Sequence, residues 1–296
     1  MIKNNVPRTL PHAVVEILFS IVKPILRYIV EIIDPLYISI YRRQHQLNRP
    51  IPPMRLRVRV GGSRWIDEFM DVGSKCTNLL EEALFTSYGK HISDYEKILD
   101  FGCGCGRIMQ YLYWNDSPGR NRFYGCDVDD ASIKWMQANY SKDNFVANLF
   151  EPPVLFGENL FDLVYAFSIF THLDERMQFA WLKDIQRILR PGGIALLTIH
   201  GEKALQMFVD GNPYTSESMI RRLKAYNSSE ENLFIYEPYE DLSLDKGKYP
   251  GISSTYGLTF HDHSYIYDHW GSLFEVRGIC SNKDDNFQEV VVLKKM

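Results

Sequence analysis

Along residues 97–200, short apolar runs alternate with longer stretches whose apolar positions recur every three or four residues. Runs of the first kind predict strands at Lys97–Phe101, Arg122–Cys126, Phe145–Ala147, Phe161–Ala166 and Ile194–Ile199. Stretches of the second kind predict helices. One covers Asp71–Tyr95, with Leu79, Leu80, Ala83 and Leu84 as its apolar stripe; others run through Ile108, Met109, Tyr111 and Leu112, and through Ile133, Trp135 and Met136. A long helix carries Phe179, Trp181, Leu182, Ile185, Ile188 and Leu189, and Pro191-Gly192-Gly193 is expected to stop it. Strands that alternate with helices imply βαβ units and a parallel sheet covered by helices.

The N-terminal region has a different pattern. Glu16, Ser20, Lys23, Arg27, Glu31 and Asp34 follow one another at steps of 4, 3, 4, 4 and 3, which draws one narrow polar stripe on an otherwise apolar helix. Pro24 is expected to kink it. No uncharged run there, Ile17–Val22 included, approaches the roughly 20 apolar residues that span a bilayer. No cleavage site of a secretory signal follows it. So broad an apolar face needs a cover: the body of its own chain, a second subunit in a homo-oligomer, or an anionic membrane surface on which the helix lies flat. After the stiff Arg49–Pro53 stretch, Arg55-Leu56-Arg57-Val58-Arg59-Val60 alternates with period two and predicts a half-buried strand with its arginines on one face. The organisation expected is an amphipathic helical segment over residues 1–50 and a body over 51–296. A lid or insertion at about 202–259 interrupts the strand and helix alternation.

Charge separates the same two parts. Residues 1–60 hold ten basic residues against three acids, a net +7, and this leaves −11 for the remainder of a chain whose total is −4. The basic part is suited to an anionic membrane or to the acidic body itself. Nucleic acid is disfavoured, because no aromatic residues interleave with the arginines to stack bases. The five cysteines are odd in number and lack disulfide or zinc spacing, which points to a reducing, cytoplasmic setting, peripheral to the inner face of a membrane if the helix docks there. No metal site is expected; His261 and His263 could share one side of an extended segment, but nothing returns His269 to it.

The candidate chemistry lies at the first strand's end, where Asp100-Phe101-Gly102-Cys103-Gly104-Cys105-Gly106 places an acid before three alternating glycines. Crowded glycines let a ligand approach bare backbone, and Asp100 favours a cationic or hydroxyl-bearing group over a phosphate. Asp100, Asp127, Asn148, Ser168 and His200 all fall near carboxyl ends of predicted strands, where parallel sheets bind ligands. A nicotinamide dinucleotide is one reading, although Arg107 stands where that motif has its third glycine.

Together with Tyr124-Gly125-Cys126-Asp127, Phe161–Ala166 and Leu189-Arg190-Pro191-Gly192-Gly193, the turn resembles the class I S-adenosylmethionine-dependent methyltransferases over about residues 96–200. The resemblance implies an α/β, Rossmann-like, seven-stranded and mostly parallel sheet with an antiparallel last strand, Leu273–Ile279 and Gln288–Leu293 forming its closing hairpin. It implies S-adenosylmethionine as cofactor. Asp100, Phe101, Gly102, Cys103, Gly104 and Gly106 would face the methionine moiety and Asp127 the ribose hydroxyls. Val128, Asn148 and Leu149 would lie about the adenine, and Phe167 and Ser168 would line the methyl end. Methyl transfer needs a base only when the acceptor must lose a proton. His200, at the end of the fifth strand, is the expected base, ahead of His172, His261 and His263. Tyr214, Tyr236, Tyr239, Tyr249 and Tyr256 offer flat surfaces for a small-molecule or glycan-like acceptor methylated at oxygen. The alternatives are a nicotinamide-dependent oxidoreductase and a non-catalytic scaffold.

Overall fold

The computed structural model describes residues 29–60, 64–115, 120–211, 217–225, 233–239, 256–281 and 288–296. In chain order the elements are α1 (residues 29–44), α2 (Met54–Arg57), α3 (Ile66–Tyr88), β1 (Ile98–Phe101), α4 (Met109–Asn115), β2 (Phe123–Asp127), α5 (Asp130–Asn139), β3 (Phe145–Ala147), β4 (Phe161–Ala166), α6 (Glu175–Ile188) and β5 (Leu189–His200). They are followed by α7 (Glu202–Val209), α8 (Glu217–Ala225), β6 (Phe234–Pro238), β7 (Gly257–His261), α9 (His263–His269), β8 (Glu275–Ser281) and β9 (Gln288–Lys294).

Seven strands form one sheet in the order β3-β2-β1-β4-β5-β9-β8. The first five are mutually parallel, and β9 runs antiparallel to both β5 and β8. Helices cover both faces, which is why the central strands read as nearly unbroken apolar runs. On one face α6 and α9 bury Trp181, Leu182, Ile185 and Ile266 against Val164, Leu197 and Val291. On the other, Leu80, Ala83 and Leu84 of α3, Met109 of α4 and Met136 of α5 pack on Ile98, Leu163 and Leu196. A separate two-stranded sheet, β6 with β7, packs with α7 and α8 around Phe208, Leu223, Ile235 and Phe260.

Three local expectations change. Helix α3 lies earlier than expected: Ile66, Phe69 and Met70 extend its apolar stripe backwards, and Gly89, left-handed at φ 63°, ends it by donating its N–H to Phe85 O. Helix α6 stops at Ile188, before the Pro-Gly-Gly, because Leu189 already turns extended and pairs with Phe161; Pro191-Gly192-Gly193 lies within the β5 run. The segment Arg55–Val60 is not a strand. Met54–Arg57 forms a helical turn, and its arginines part company: Arg55 is exposed, Arg57 is buried and Arg59 is half-buried.

Arg57 explains that departure. Its guanidinium meets the Asp34 carboxylate of α1 in a fork, at 2.6 Å for Nη2 to Oδ1 and 3.4 Å for Nη1 to Oδ2, and also donates to Pro52 O and Arg64 O. Asp34 Oδ2 accepts the Met54 N–H at 2.6 Å. Of the N-terminal polar stripe, Glu31 and Asp34 are described, whereas Glu16, Ser20, Lys23, Pro24 and Arg27 lie outside the described residues. Helix α1 runs from residue 29 through Pro35 to residue 44 and docks on the body through Tyr37, Ile38 and Tyr41. Because removing one partner strands a buried charge, Asp34→Ala is expected to cost about 3–5 kcal/mol in urea unfolding. The paired replacement Asp34→Leu with Arg57→Met is expected to cost much less; equal losses would refute the account.

Candidate active site

At the carboxyl edge of the sheet, the chain leaves β1 through a turn in which Gly102, Gly104 and Gly106 all adopt positive φ, at 78°, 50° and 82°. Space is restricted there as well: a Cβ on Gly102 would lie 2.3 Å from Ile169 Cδ1, and one on Gly104 2.8 Å from Val60 Cγ1. The end of β2 pins the turn. The Cys126 carbonyl accepts the N–H groups of Gly102 at 2.8 Å and Cys103 at 3.0 Å, and Asp127 Oδ2 accepts that of Gly104 at 2.7 Å.

Two acids flank this turn. Asp100 is buried, and burial, with some repulsion from Asp127, pushes its carboxyl up to about 8; Tyr165 and Arg107 work against that rise. Asp127 is half-buried at the end of β2, and burial lifts it to about 6 against the backbone N–H groups it accepts. Its Oδ1 accepts the Asp129 N–H at 2.8 Å, but the N-cap of α5 is Asp129 itself, which accepts the Ala131 N–H. Asp127 therefore does not serve as the helix cap. A carboxylate offers about four lone-pair positions, so its two backbone bonds leave room for two hydroxyl donors.

The other expected site residues divide into two groups. Val128 is half-buried beside Asp127; Asn148, after β3, donates its amide N–H to Leu149 O at 2.7 Å and keeps its oxygen as an acceptor, and Leu149 is 78% exposed. Ser168, after β4, is held at φ 59°; its N–H donates to Thr198 Oγ1 and its hydroxyl accepts from Gln288 Nε2 at 2.7 Å. These residues share the carboxyl edge. Phe101 by contrast turns its ring into the core, edge-on to Trp181 at 4.8 Å, and Cys103 and Phe167 are buried in the cluster on the opposite face. Only the backbones of Phe101 and Cys103 belong to the turn.

Sequence reasoning missed the cover over the turn. Val60 packs on Gly104, Arg107 donates to Val60 O at 3.2 Å, and Arg59 Nη1 meets both Asp129 oxygens at 2.7 and 2.8 Å. The signal was the spacing of Arg59 and Arg107 from acids and carbonyls far away in the chain, which no local pattern exposes.

Beyond β4 and β5 the loop 168–173 is clamped to β7. Thr259 N–H donates to Thr171 O, Gly257 N–H to His172 O, and Thr259 Oγ1 to Leu173 O. His172 is half-buried and stacked on Tyr256, with Nδ1 2.9 Å from Gly257 O and 3.2 Å from Tyr239 Oη. A carbonyl only accepts, so Nδ1 carries the proton and Nε2 is the basic nitrogen. Burial lowers this imidazole to about 4. His200 lies deeper, 2% exposed, with Nδ1 3.2 Å from Thr259 O and its ring against Phe208 and Phe260; burial lowers it well below the usual histidine value. His261 faces Gln178 and Trp270, His263 pairs with Glu289, and His269 stacks on Tyr265, so these three do not converge. Tyr236, Tyr239 and Tyr256 are described beside this region; Tyr214 and Tyr249 lie outside the described residues.

Residues 99–197 match the family described as Methyltransferase domain. The chain carries a class I S-adenosylmethionine-dependent methyltransferase domain. A curated relative, the tRNA N(3)-cytidine methyltransferase METTL2 of Gallus gallus, is 31% identical over 114 residues, 36% of this chain and 30% of the relative. The chain thus spans under a third of that relative's length. Solved structures with a similar arrangement include magnesium protoporphyrin IX methyltransferase from Synechocystis PCC 6803 with bound S-adenosylhomocysteine (TM-score 0.47, 13% identity, covering 91% of this chain and 100% of that one). The N-methyltransferase NodS from Bradyrhizobium japonicum WM9 is another (TM-score 0.46, 11% identity, 81% and 96% covered). At such scores the likeness extends to no residue or substrate.

The residues of the methyltransferase domain suit its cofactor. The Asp100 carboxyl is raised to about 8 by burial even with Arg107 acting on it, so a further cation would be welcome there, and the cofactor's ammonium and sulfonium groups are cations. A cation beside Asp100 favours the carboxylate, so binding releases a proton, and affinity for S-adenosylhomocysteine, which keeps the ammonium, should strengthen as pH rises from about 6 toward about 8. Calorimetry across that range is expected to lose this slope in Asp100→Asn; an unchanged slope would contradict the placement. Asp127→Ala is expected to weaken binding by roughly a hundredfold at neutral pH, the loss of two charge-assisted hydrogen bonds.

Proposed function

We propose that this methyltransferase moves the methyl group of S-adenosylmethionine to a hydroxyl of a small-molecule or glycan-like acceptor entering beside the β6–β7 hairpin, leaving S-adenosylhomocysteine. The observation that carries the acceptor half is His172: a neutral imidazole whose Nδ1–H is committed to Gly257 O, leaving Nε2 to take a proton. Displacement at a sulfonium methyl is in line, so the protein aligns the nucleophile, excludes water and, for a hydroxyl, removes its proton. Nicotinamide chemistry is set aside by the domain match and by Arg107 in place of the third glycine.

We assign the proton-accepting role to His172 rather than His200, which is packed behind it with ring planes at 86° and centroids 6.3 Å apart. Tyr239 and Tyr256, which neighbour both His172 and each other, supply the flat, hydroxyl-tipped surfaces that sugars and aromatic rings pack on. A tRNA acceptor, as named for the chicken relative, is disfavoured by charge: residues 61–296 carry −11 and would repel a polyanion.

S-Adenosylhomocysteine is expected to raise the Tm of the purified protein, and NAD is not; a rise with NAD alone would sink the donor assignment. Methyl transfer from labelled cofactor into cell extract should be lost in His172→Ala while the S-adenosylhomocysteine-induced rise in Tm persists. Activity in the unsubstituted protein should fall as pH drops through about 4, where His172 gains a proton. Silence across many extracts would favour a scaffold role instead.

A further inference from the structure

Helix α1 is apolar on two faces, and the described residues pack against only one of them. Asp34, Tyr37, Ile38 and Tyr41 face the body, where Tyr41 packs with Ile51, Leu56, Phe69 and Met70. Ile29, Ile32, Ile33, Leu36 and Ile40, spaced along one stripe, are 47%, 60%, 51%, 64% and 47% exposed. Large aliphatic side chains aligned in this way on a surface mark an interaction site.

We propose that this stripe is the face by which the protein lies on an anionic lipid bilayer, with α1 in the plane of the interface. Charge selects this occupant. Neither acid of α1 lies on the stripe: Asp34 is buried against Arg57, and Glu31 is half-buried on the flank. The stripe instead runs into exposed Arg43, with half-buried Arg42 beside it, and exposed Arg55 follows on α2. Basic residues at headgroup depth add to apolar burial on an anionic surface, each by roughly 1 kcal/mol. The +7 of residues 1–60 against the −11 of the rest orients the protein, drawing this end to the bilayer and turning the acidic body away. A second copy docked on the same stripe would bring like charges together at Arg43. Among the described residues no helix is long and apolar enough to cross a membrane, which fits a helix lying on the surface.

The site is coupled to the domain. Asp34 and Arg57 bind α1 to the segment that ends at Val60 over Gly104, so a docked helix holds the glycine turn at a set height above the lipid.

The full chain is to be co-sedimented with phosphatidylcholine vesicles, with and without phosphatidylserine. Pelleting is expected with phosphatidylserine present and is expected to weaken with added salt. Arg42→Glu with Arg43→Glu, and separately Ile32→Ser with Leu36→Ser, should each lower partitioning by roughly tenfold or more. Both variants change exposed or half-buried positions, and an unchanged S-adenosylhomocysteine-induced rise in Tm reports that the domain is intact. This keeps failure of docking distinct from failure of the methyltransferase reading. Equal pelleting of variants and parent, no pelleting with phosphatidylserine, or a dimer in sedimentation equilibrium that Leu36→Ser dissolves would overturn the proposal, the last in favour of a second copy.

Discussion

Two residues at the end of β2 hold the turn after β1. The Cys126 carbonyl and the Asp127 carboxylate together accept three consecutive odd-and-even backbone donors, from Gly102, Cys103 and Gly104. Turn residues at positive φ have no helical or strand partner of their own, and buried N–H groups must be satisfied somewhere. Because β1 and β2 are neighbours in the sheet, with Phe101 opposite Cys126, the register places those acceptors where the donors emerge. A slip of one residue would orphan the turn and move Asp127 to the other face of the sheet. The carboxylate that anchors the turn would, on the family resemblance, also be the one offered to the ribose, so that folding and cofactor binding would rest on the same atoms.

That arrangement is held under electrostatic tension. Asp100 and Asp127 are placed close together in surroundings that favour their protonated forms, and the nearby Cys103 and Cys126 thiols are pushed up by burial as well. Perturbed acids of this kind cluster where a protein is built to receive a charged partner. The edge of the domain is apolar and tight where it meets its own helices. Beside the 168–173 loop it is lined by rings, with His172, Tyr239 and Tyr256 in one cluster. The glycine-turn end presents backbone groups and acids, whereas the end at the β6–β7 hairpin presents rings and a neutral imidazole.

How much of this was legible in the sequence depended on the reach of each interaction. Strands β1, β2 and β4 could be read because both faces of a parallel sheet are covered, and such strands appear as unbroken apolar runs ending in a functional residue. The closing hairpin was expected from the family resemblance, and β9 suits that place because it is buried along almost its whole length. Arg55–Val60 misled because an alternating pattern assumes that arginines point to water, while Arg57 finds Asp34 twenty-three residues away and turns inward. Phe101 and Cys103 were named with the turn, yet their side chains went into the apolar clusters on the two faces of the sheet. The contrast between His172 and His200 could not be read at all. It is set by the return of β7 onto the 168–173 loop, a pairing between segments more than eighty residues apart.

The place of β9 has a consequence for how the protein is made. It lies between β5 and β8 and pairs with both, yet it is formed by residues 288–294. Until those residues leave the ribosome, β5 presents the unpaired backbone of an apolar strand, an edge that invites pairing with another chain. Translation therefore passes through a long interval in which the cofactor half of the sheet is complete and the sheet itself is open. Chaperone dependence should be concentrated in that interval, and a chain truncated shortly before β9 would be expected to aggregate through β5.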